Sequence, residues 1–148
     1  MKVADALRAV TRLFLDTAPV VYYVERNPAN QPLADEIFDR IDKGSPLAVT
    51  SPVTLAESLV MPIRLGHAKV QQDFTDLIVR GQNVLFVPIN ESAVRQAADL
   101  RARYNLGLAD ALQVAVALSA ACDAFLTNDV ALKRVVELPI LVLDELEL

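Results

Sequence analysis

Four acidic residues, Asp16, Glu57, Asp110 and Asp129, fall where apolar runs end or helices begin. A carboxylate is expensive there unless it is paired or binds a cation. Asp16 directly follows Leu13-Phe14-Leu15, and its plain alternative is to cap a helix opening near Pro19. Glu57 comes three residues after Thr54, as in a capping box, but Ser51-Pro52 already marks an earlier helix start. Its neighbours Leu55, Ala56, Leu59 and Val60 read as buried, which makes a charge among them conspicuous. Asp110 opens the most apolar helical stretch and, taken alone, reads first as an ordinary helix-start acid. Asp129 ends Thr127-Asn128-Asp129 after Ala124-Phe125-Leu126, where an N-cap is again the plain reading. Any one of these has a structural explanation, whereas four in succession point to a shared site.

Carboxylates gathered at one point repel and raise each other's pKa unless a divalent cation neutralises them. With one His and one Cys in the chain, the sequence argues against a soft-metal site, and an all-oxygen donor set suits Mg²⁺ or Mn²⁺. Such a cluster can activate water and hold a phosphodiester for attack. The net charge of −5 argues against a nonspecific nucleic-acid coat, but bound metal inverts the local charge. The remaining acids look solvated: Asp35, Glu36, Asp39 and Asp42 on a helix face, and Asp144, Glu145 and Glu147 near the end. His67 has no partner ligand, Cys122 reads as core, and Tyr22 and Tyr23 suit packing. No glycine-rich phosphate loop is present.

These acids need elements to position them. Short apolar runs at Arg12–Leu15, Leu47–Thr50, Val84–Val87, Ala124–Thr127 and Ile140–Leu143 read as five buried strands. Between them, amphipathic segments read as helices from Pro19 to Tyr23, Leu33 to Ile41, Ser51-Pro52 to Gly66, and Lys69 to Arg80. Further helices follow from Glu91 to Tyr104, Leu108 to Cys122, and Val130 to Val136. This alternation predicts an α/β fold, a three-layer α/β/α sandwich with a mostly parallel, five-stranded sheet. Sites in such sheets form at the carboxyl ends of the strands.

Length and composition agree: 148 residues, 53% hydrophobic, suit one domain with a real core and exclude disorder. The longest apolar stretch, Ala111 to Cys122, is interrupted by Gln113 and Ser119 and is too short to cross a membrane. The first ten residues carry Lys2, Asp5 and Arg8 without an apolar run, so no signal peptide is expected. A single cysteine fits a cytoplasmic protein.

In order and spacing, the acids resemble those of the PIN-domain family of metal-dependent ribonucleases, particularly its toxin-type (VapC-like) branch. The matching pieces are Leu15-Asp16-Thr17, Thr50-Ser51-Pro52-Val53-Thr54-Leu55-Ala56-Glu57, Asp110-Ala111-Leu112-Gln113-Val114-Ala115 and Phe125-Leu126-Thr127-Asn128-Asp129, with successive acids 41, 53 and 19 residues apart. The resemblance covers nearly the whole chain as one domain, residues 1–148, with 1–10 an extra N-terminal piece. It implies that Asp16, Glu57, Asp110 and Asp129 bind Mg²⁺ or Mn²⁺ and hydrolyse RNA, with Thr17, Thr127 and Asn128 in support. It also implies a homodimer, held inactive by a small antitoxin protein. Gln113 stands where the family often has His or an apolar residue. The alternatives are a PIN nuclease outside any toxin–antitoxin pair, or a non-catalytic α/β metal-binding or signalling module. A receiver-type module would want an acid pair near the first strand and a late lysine, but Asp16 is flanked by Leu15 and Thr17, and Leu141-Val142-Leu143 carries no lysine.

Overall fold

All five apolar runs are strands in the computed structural model, which describes residues 1–148. They are β1 (Arg12–Leu15), β2 (Leu47–Thr50), β3 (Val84–Phe86), β4 (Ala124–Thr127) and β5 (Ile140–Val142). Seven helices accompany them: α1 (Val3–Ala6), α2 (Thr17–Val24), α3 (Gln31–Asp42), α4 (Pro52–Arg64), α5 (Ala68–Arg80), α6 (Glu91–Tyr104) and α7 (Leu108–Ser119). The strands form one sheet in the order β3-β2-β1-β4-β5, every neighbouring pair parallel. The α/β expectation therefore holds, with a sheet that is parallel throughout. No helix is long and apolar enough to cross a membrane.

Alternation along the strands divides the core in two. Leu13 and Leu15 of β1, Ala48 of β2, and Ala124 and Leu126 of β4 pack with Val20 of α2, Ile37, Phe38 and Ile41 of α3, and Phe74 and Ile78 of α5. On the opposite face, Phe14, Val49 and Phe125 meet Ala93, Ala97 and Leu100 of α6 and the apolar run of α7. The Phe14 and Phe125 rings stack there with centroids 4.9 Å apart, an offset pair that ties β1 to β4. The leading residues join the first core through Val3, Leu7 and Val10, and Val3 donates its N–H to the Glu147 carbonyl at 2.9 Å.

Element boundaries differ from the sequence expectation at a few points, each for a local reason. The helix expected at Pro19 starts at Thr17, because Asp16 accepts the Thr17 N–H and caps it. Pro19 still sits in the first turn, where its missing N–H is harmless. The helix expected to reach Cys122 stops at Ser119, since Ala121 adopts a left-handed φ of 56°. The short helix after β4 is a single 3₁₀ turn, Val130–Arg134.

The largest surprise is α4. Its buried stripe is Thr54, Ser58 and Pro62, spaced at i, i+4 and i+8, while Val60, Met61, Ile63 and Leu65 are exposed. Ala56 and Glu57 face solvent as well, and Leu55 and Leu59 are half-buried, so Glu57 does not stand in a buried apolar patch. Pro62 lacks the N–H that would close a helical hydrogen bond on the Ser58 carbonyl. The Ser58 hydroxyl is the one buried side-chain polar atom without a partner. Ser58→Ala should therefore stabilise the fold by about 1 kcal/mol, read as a thermal midpoint raised by about 2–4 °C; an unchanged or lowered midpoint would show that the hydroxyl is satisfied in solution.

Candidate active site

Parallel strands place their carboxyl ends on one edge, and the break between the two halves of this sheet lies there between β1 and β4. The chain lays β2 and β3 on one side of β1, then crosses to place β4 and β5 on the other. Such a switch point leaves a crevice at the strand ends. Leu15 is in register with Leu126, so the next residues of the two strands, Asp16 and Thr127, meet across it. The Thr127 hydroxyl donates to Asp16 Oδ2 at 2.8 Å, and the Thr17 N–H donates to Asp16 Oδ1 at 2.8 Å. Asp16 is 8% exposed. Burial pushes its carboxyl up from the usual range, the two hydrogen bonds oppose that shift, and the charges of Glu57 and Asp129 add to it.

Glu57 reaches the same edge from α4, which follows β2. Its Oε1 accepts the Thr17 hydroxyl at 2.6 Å, so the residue after Asp16 holds the second acid. Asp129 follows β4 and caps the 3₁₀ turn by accepting the Ala131 N–H at 2.9 Å. Its own N–H donates to the Thr127 hydroxyl at 3.1 Å, which places Thr127 between Asp16 and Asp129. Asp110 lies in the first turn of α7, whose N-terminal end is at the strands' carboxyl edge because α7 runs into β4 from that side. Burial pushes the Asp110 carboxyl up to about 6, helped by Asp16, Asp129 and Glu57. The charges of the other three acids all act on it in the same direction, so the four share one electrostatic neighbourhood.

Asn128 plays a different part. Its amide donates to the Tyr22 hydroxyl at 3.2 Å and accepts the Asp144 N–H at 3.0 Å, tying the end of β4 to α2 and to the turn after β5. A further group is not evident from motif positions alone. Gln113 is fully buried; its amide donates to the Thr54 hydroxyl at 2.8 Å and accepts the Ser51 hydroxyl. The only signal in the sequence is a long polar side chain in the apolar stretch of α7, which must find partners or cost stability.

Chemically, the donors on this edge are carboxylates and threonine hydroxyls, with no nitrogen or sulfur ligand among them. That set fits a hard divalent cation. No three of the acids stand together as a ready-made ligand cage. The reason is visible in the hydrogen bonds: Asp16 and Glu57 are drawn to hydroxyl and amide donors rather than to a common point, as unneutralised carboxylates must be.

The sequence model of the PIN domain family matches residues 13–138. Solved structures agree at the level of fold. A chain of VapBC2 from Rickettsia felis, bound to a promoter DNA fragment, aligns with a TM-score of 0.71 at 17% identity, over 88% of this chain and 98% of that one. VapC20 from Mycobacterium tuberculosis, described as a Sarcin-Ricin loop cleaving toxin, aligns with a TM-score of 0.64 at 16% identity, over 76% and 86%. DNA-bound VapBC from Salmonella typhimurium aligns with a TM-score of 0.65 at 16% identity, over 89% and 98%. No curated protein matches the sequence.

The raised Asp110 carboxyl sets the sign of a pH effect in the absence of metal. The native state holds this proton up to about pH 6, whereas the unfolded chain releases it near its ordinary value of 3.8. Between those values the native state binds more protons, so the Asp110 contribution to stability falls as pH rises. Asp110→Asn should therefore gain thermal stability over the parent progressively from pH 4 to pH 7. A difference that stays flat across that range would mean that neither burial nor the neighbouring acids raise the Asp110 carboxyl.

Proposed function

The chain belongs to the PIN domain family, and from that premise we propose that it is a Mg²⁺- or Mn²⁺-dependent endoribonuclease, the toxin of a toxin–antitoxin pair acting in the cytoplasm. The observation that carries the reading is the geometry at the ends of β1 and β4: the Thr127 hydroxyl donates to Asp16 Oδ2 and accepts the Asp129 N–H, and the Thr17 hydroxyl donates to Glu57 Oε1, so acids from three segments are tied to one edge, beside Asp110. A fold does not keep four unneutralised carboxylates on one edge without use, and a divalent ion relieves them. Structures with a likeness to this one include a toxin described as cleaving the Sarcin-Ricin loop and a toxin–antitoxin complex, which supports the same direction.

Asp16, Glu57, Asp110 and Asp129 are the residues that would hold the ion. When bound, it would supply charge neutralisation and Lewis-acid activation of water and of the phosphoryl group. The chain supplies the orientation. Thr127 fixes Asp16 Oδ2, Thr17 fixes Glu57 Oε1, and Asp16 is kept from rotating by the Thr17 N–H on its other oxygen. The N-termini of α2, α4 and α7 all open on this edge, and their partial positive charge favours carboxylates and phosphates alike. Since the chemistry needs no 2′-hydroxyl, cleavage leaves 5′-phosphate and 3′-hydroxyl ends.

Partners follow from α4. Val60, Met61, Ile63 and Leu65 are between 44% and 58% exposed on one short helix, a concentration that suits an interface rather than solvent. We assign it to contact with a second copy of the chain, with an antitoxin segment lying along the early helices.

Two experiments test the reading. With purified protein, Mg²⁺ and Mn²⁺ should raise the thermal midpoint and support RNA cleavage that EDTA stops. Asp16→Asn should lose both the metal response and more than ~100-fold of the rate, since even outer partners of a metal site cost 10–100-fold. Ends carrying 2′,3′-cyclic phosphate, or full activity in EDTA, would rule the reaction out. For the assembly, sedimentation at micromolar concentration should show a dimer that Ile63→Glu dissociates; a parent that is monomeric throughout would remove the second copy from the proposal.

A further inference from the structure

Two pairs of residues, each separated by one helical turn, frame the buried amide of Gln113. On α7, Asp110 precedes Gln113 by three positions; on α4, Glu57 follows Thr54 by three. Residues three apart share a helix face, and the two inner members are joined directly, Gln113 Nε2 to Thr54 Oγ1 at 2.8 Å. The chain Asp110, Gln113, Thr54, Glu57 is thus a rigid path between two of the four acids, made of two helical turns and one hydrogen bond. Its surroundings leave it little freedom. The Thr54 hydroxyl also accepts the Ser51 N–H at 3.3 Å and points at the Leu15 carbonyl at 3.5 Å, which uses its one donor and both acceptor positions. Gln113 Oε1 accepts the Ser51 hydroxyl, and that hydroxyl in turn takes the Val53 N–H at 3.1 Å. Gln113, Thr54 and Ser51 are all buried at the level of a few per cent exposure or less.

We propose that Gln113 is a positioning residue for the metal site: through Thr54 and Ser51 it fixes the first turn of α4, and with it Glu57, relative to Asp110 and to Asp16 beside Leu15. The inference rests on the proposed metal-dependent reading of the same edge. An amide suits the task better than an apolar side chain because it sets both distance and rotation between two helices that otherwise meet only through packing. It suits the task better than an acid because it adds no charge to a cluster already short of cations. Partners of this kind, one step behind the ligands, are worth about 10–100-fold in metal affinity.

The test uses the full chain with Gln113→Met, which keeps length and removes both hydrogen bonds, and Thr54→Val, which breaks the same bridge from the α4 side. The readout is the Mg²⁺ or Mn²⁺ concentration giving half of the metal-induced thermal shift, with kcat and KM for RNA measured alongside. Each single variant should raise that concentration about tenfold and lower kcat while leaving KM nearly unchanged, and the double variant should be no worse than either single. Ile41→Ala, a core truncation in α3 outside the site, serves as a control for stability loss and should leave the metal midpoint in place. If Gln113→Met and Thr54→Val keep the parent's metal midpoint and kcat, the inference fails while the functional reading stands. If their effects on the midpoint add, the bridge is not the route and the inference fails likewise. If the parent itself responds to neither metal, the functional reading falls and takes this inference with it.

Discussion

Repulsion among carboxylates is the constraint that the site end of this molecule is built to contain. Four acids from four segments share the edge where β1 and β4 end, and burial together with the charges of Asp16, Asp129 and Glu57 raises the Asp110 carboxyl. The compensation comes from neutral donors and from backbone geometry. Two threonine hydroxyls and one backbone N–H hold Asp16 and Glu57, and three helices begin at the same edge, the positive ends of their dipoles turned toward it. Such partial compensation keeps the acids in place without neutralising them. A lysine would satisfy the same carboxylates more fully, but it would also occupy the space and cancel the charge that a cation needs.

That arrangement requires a scaffold able to bear its cost. β1 is the middle strand, hydrogen-bonded on both sides, with Leu13, Phe14 and Leu15 essentially inaccessible to solvent. Its last residue before Asp16 therefore cannot shift without disturbing two cores at once. β4 is equally buried, and the Phe14–Phe125 stack joins the pair on one face. Asp16 and Thr127 inherit their registration from these apolar neighbours: the Asp16 N–H donates to the Leu126 carbonyl at 2.9 Å, and the Thr127 hydroxyl meets Asp16 one residue beyond the last rung of the ladder.

The strands and the order of the acids were legible because both depend on short-range patterns. Apolar runs of four residues bounded by Asp, Gly or Pro mark parallel strands whatever surrounds them, and an acid directly after such a run announces a strand end. The α4 helix was legible in its extent, but its buried face was not, for the opposite reason. Hydrophobic periodicity assumes that the largest apolar residues face inward, and here Thr54, Ser58 and Pro62 do so while Val60, Met61 and Ile63 do not. The misreading of Glu57 as a charge in a buried patch followed from that assumption. The Gln113 bridge was invisible as well: its partners lie 59 and 62 positions away, and only the fold brings α7 against the start of α4. Asn128, counted with the site by its position beside Asp129, spends its amide on Tyr22 and the Asp144 backbone, an assignment that also depends on long-range packing.

The inverted α4 and the acidic net charge belong to one problem, that of how an anionic protein could handle a polyanion. Eight of the fourteen basic side chains are engaged with carboxylates, most of them one turn away on the same helix, such as Lys43 with Asp39 and Arg95 with Glu91. Of the remaining six, Arg12, Arg101 and Arg134 donate to backbone carbonyls. Little positive surface is therefore free to draw in phosphates at long range. For the proposed reaction, attraction would have to be local, from a cation seated among the four acids and from the helix N-termini around it. A surface that does not collect nucleic acid indiscriminately leaves recognition to the crevice and to whatever the exposed face of α4 recruits. Keeping the polar ties of α4 inside and its apolar side chains outside serves both ends, because the helix that carries Glu57 into the site continues into its contact surface, with Val60 and Met61 three and four positions after Glu57 on the same face.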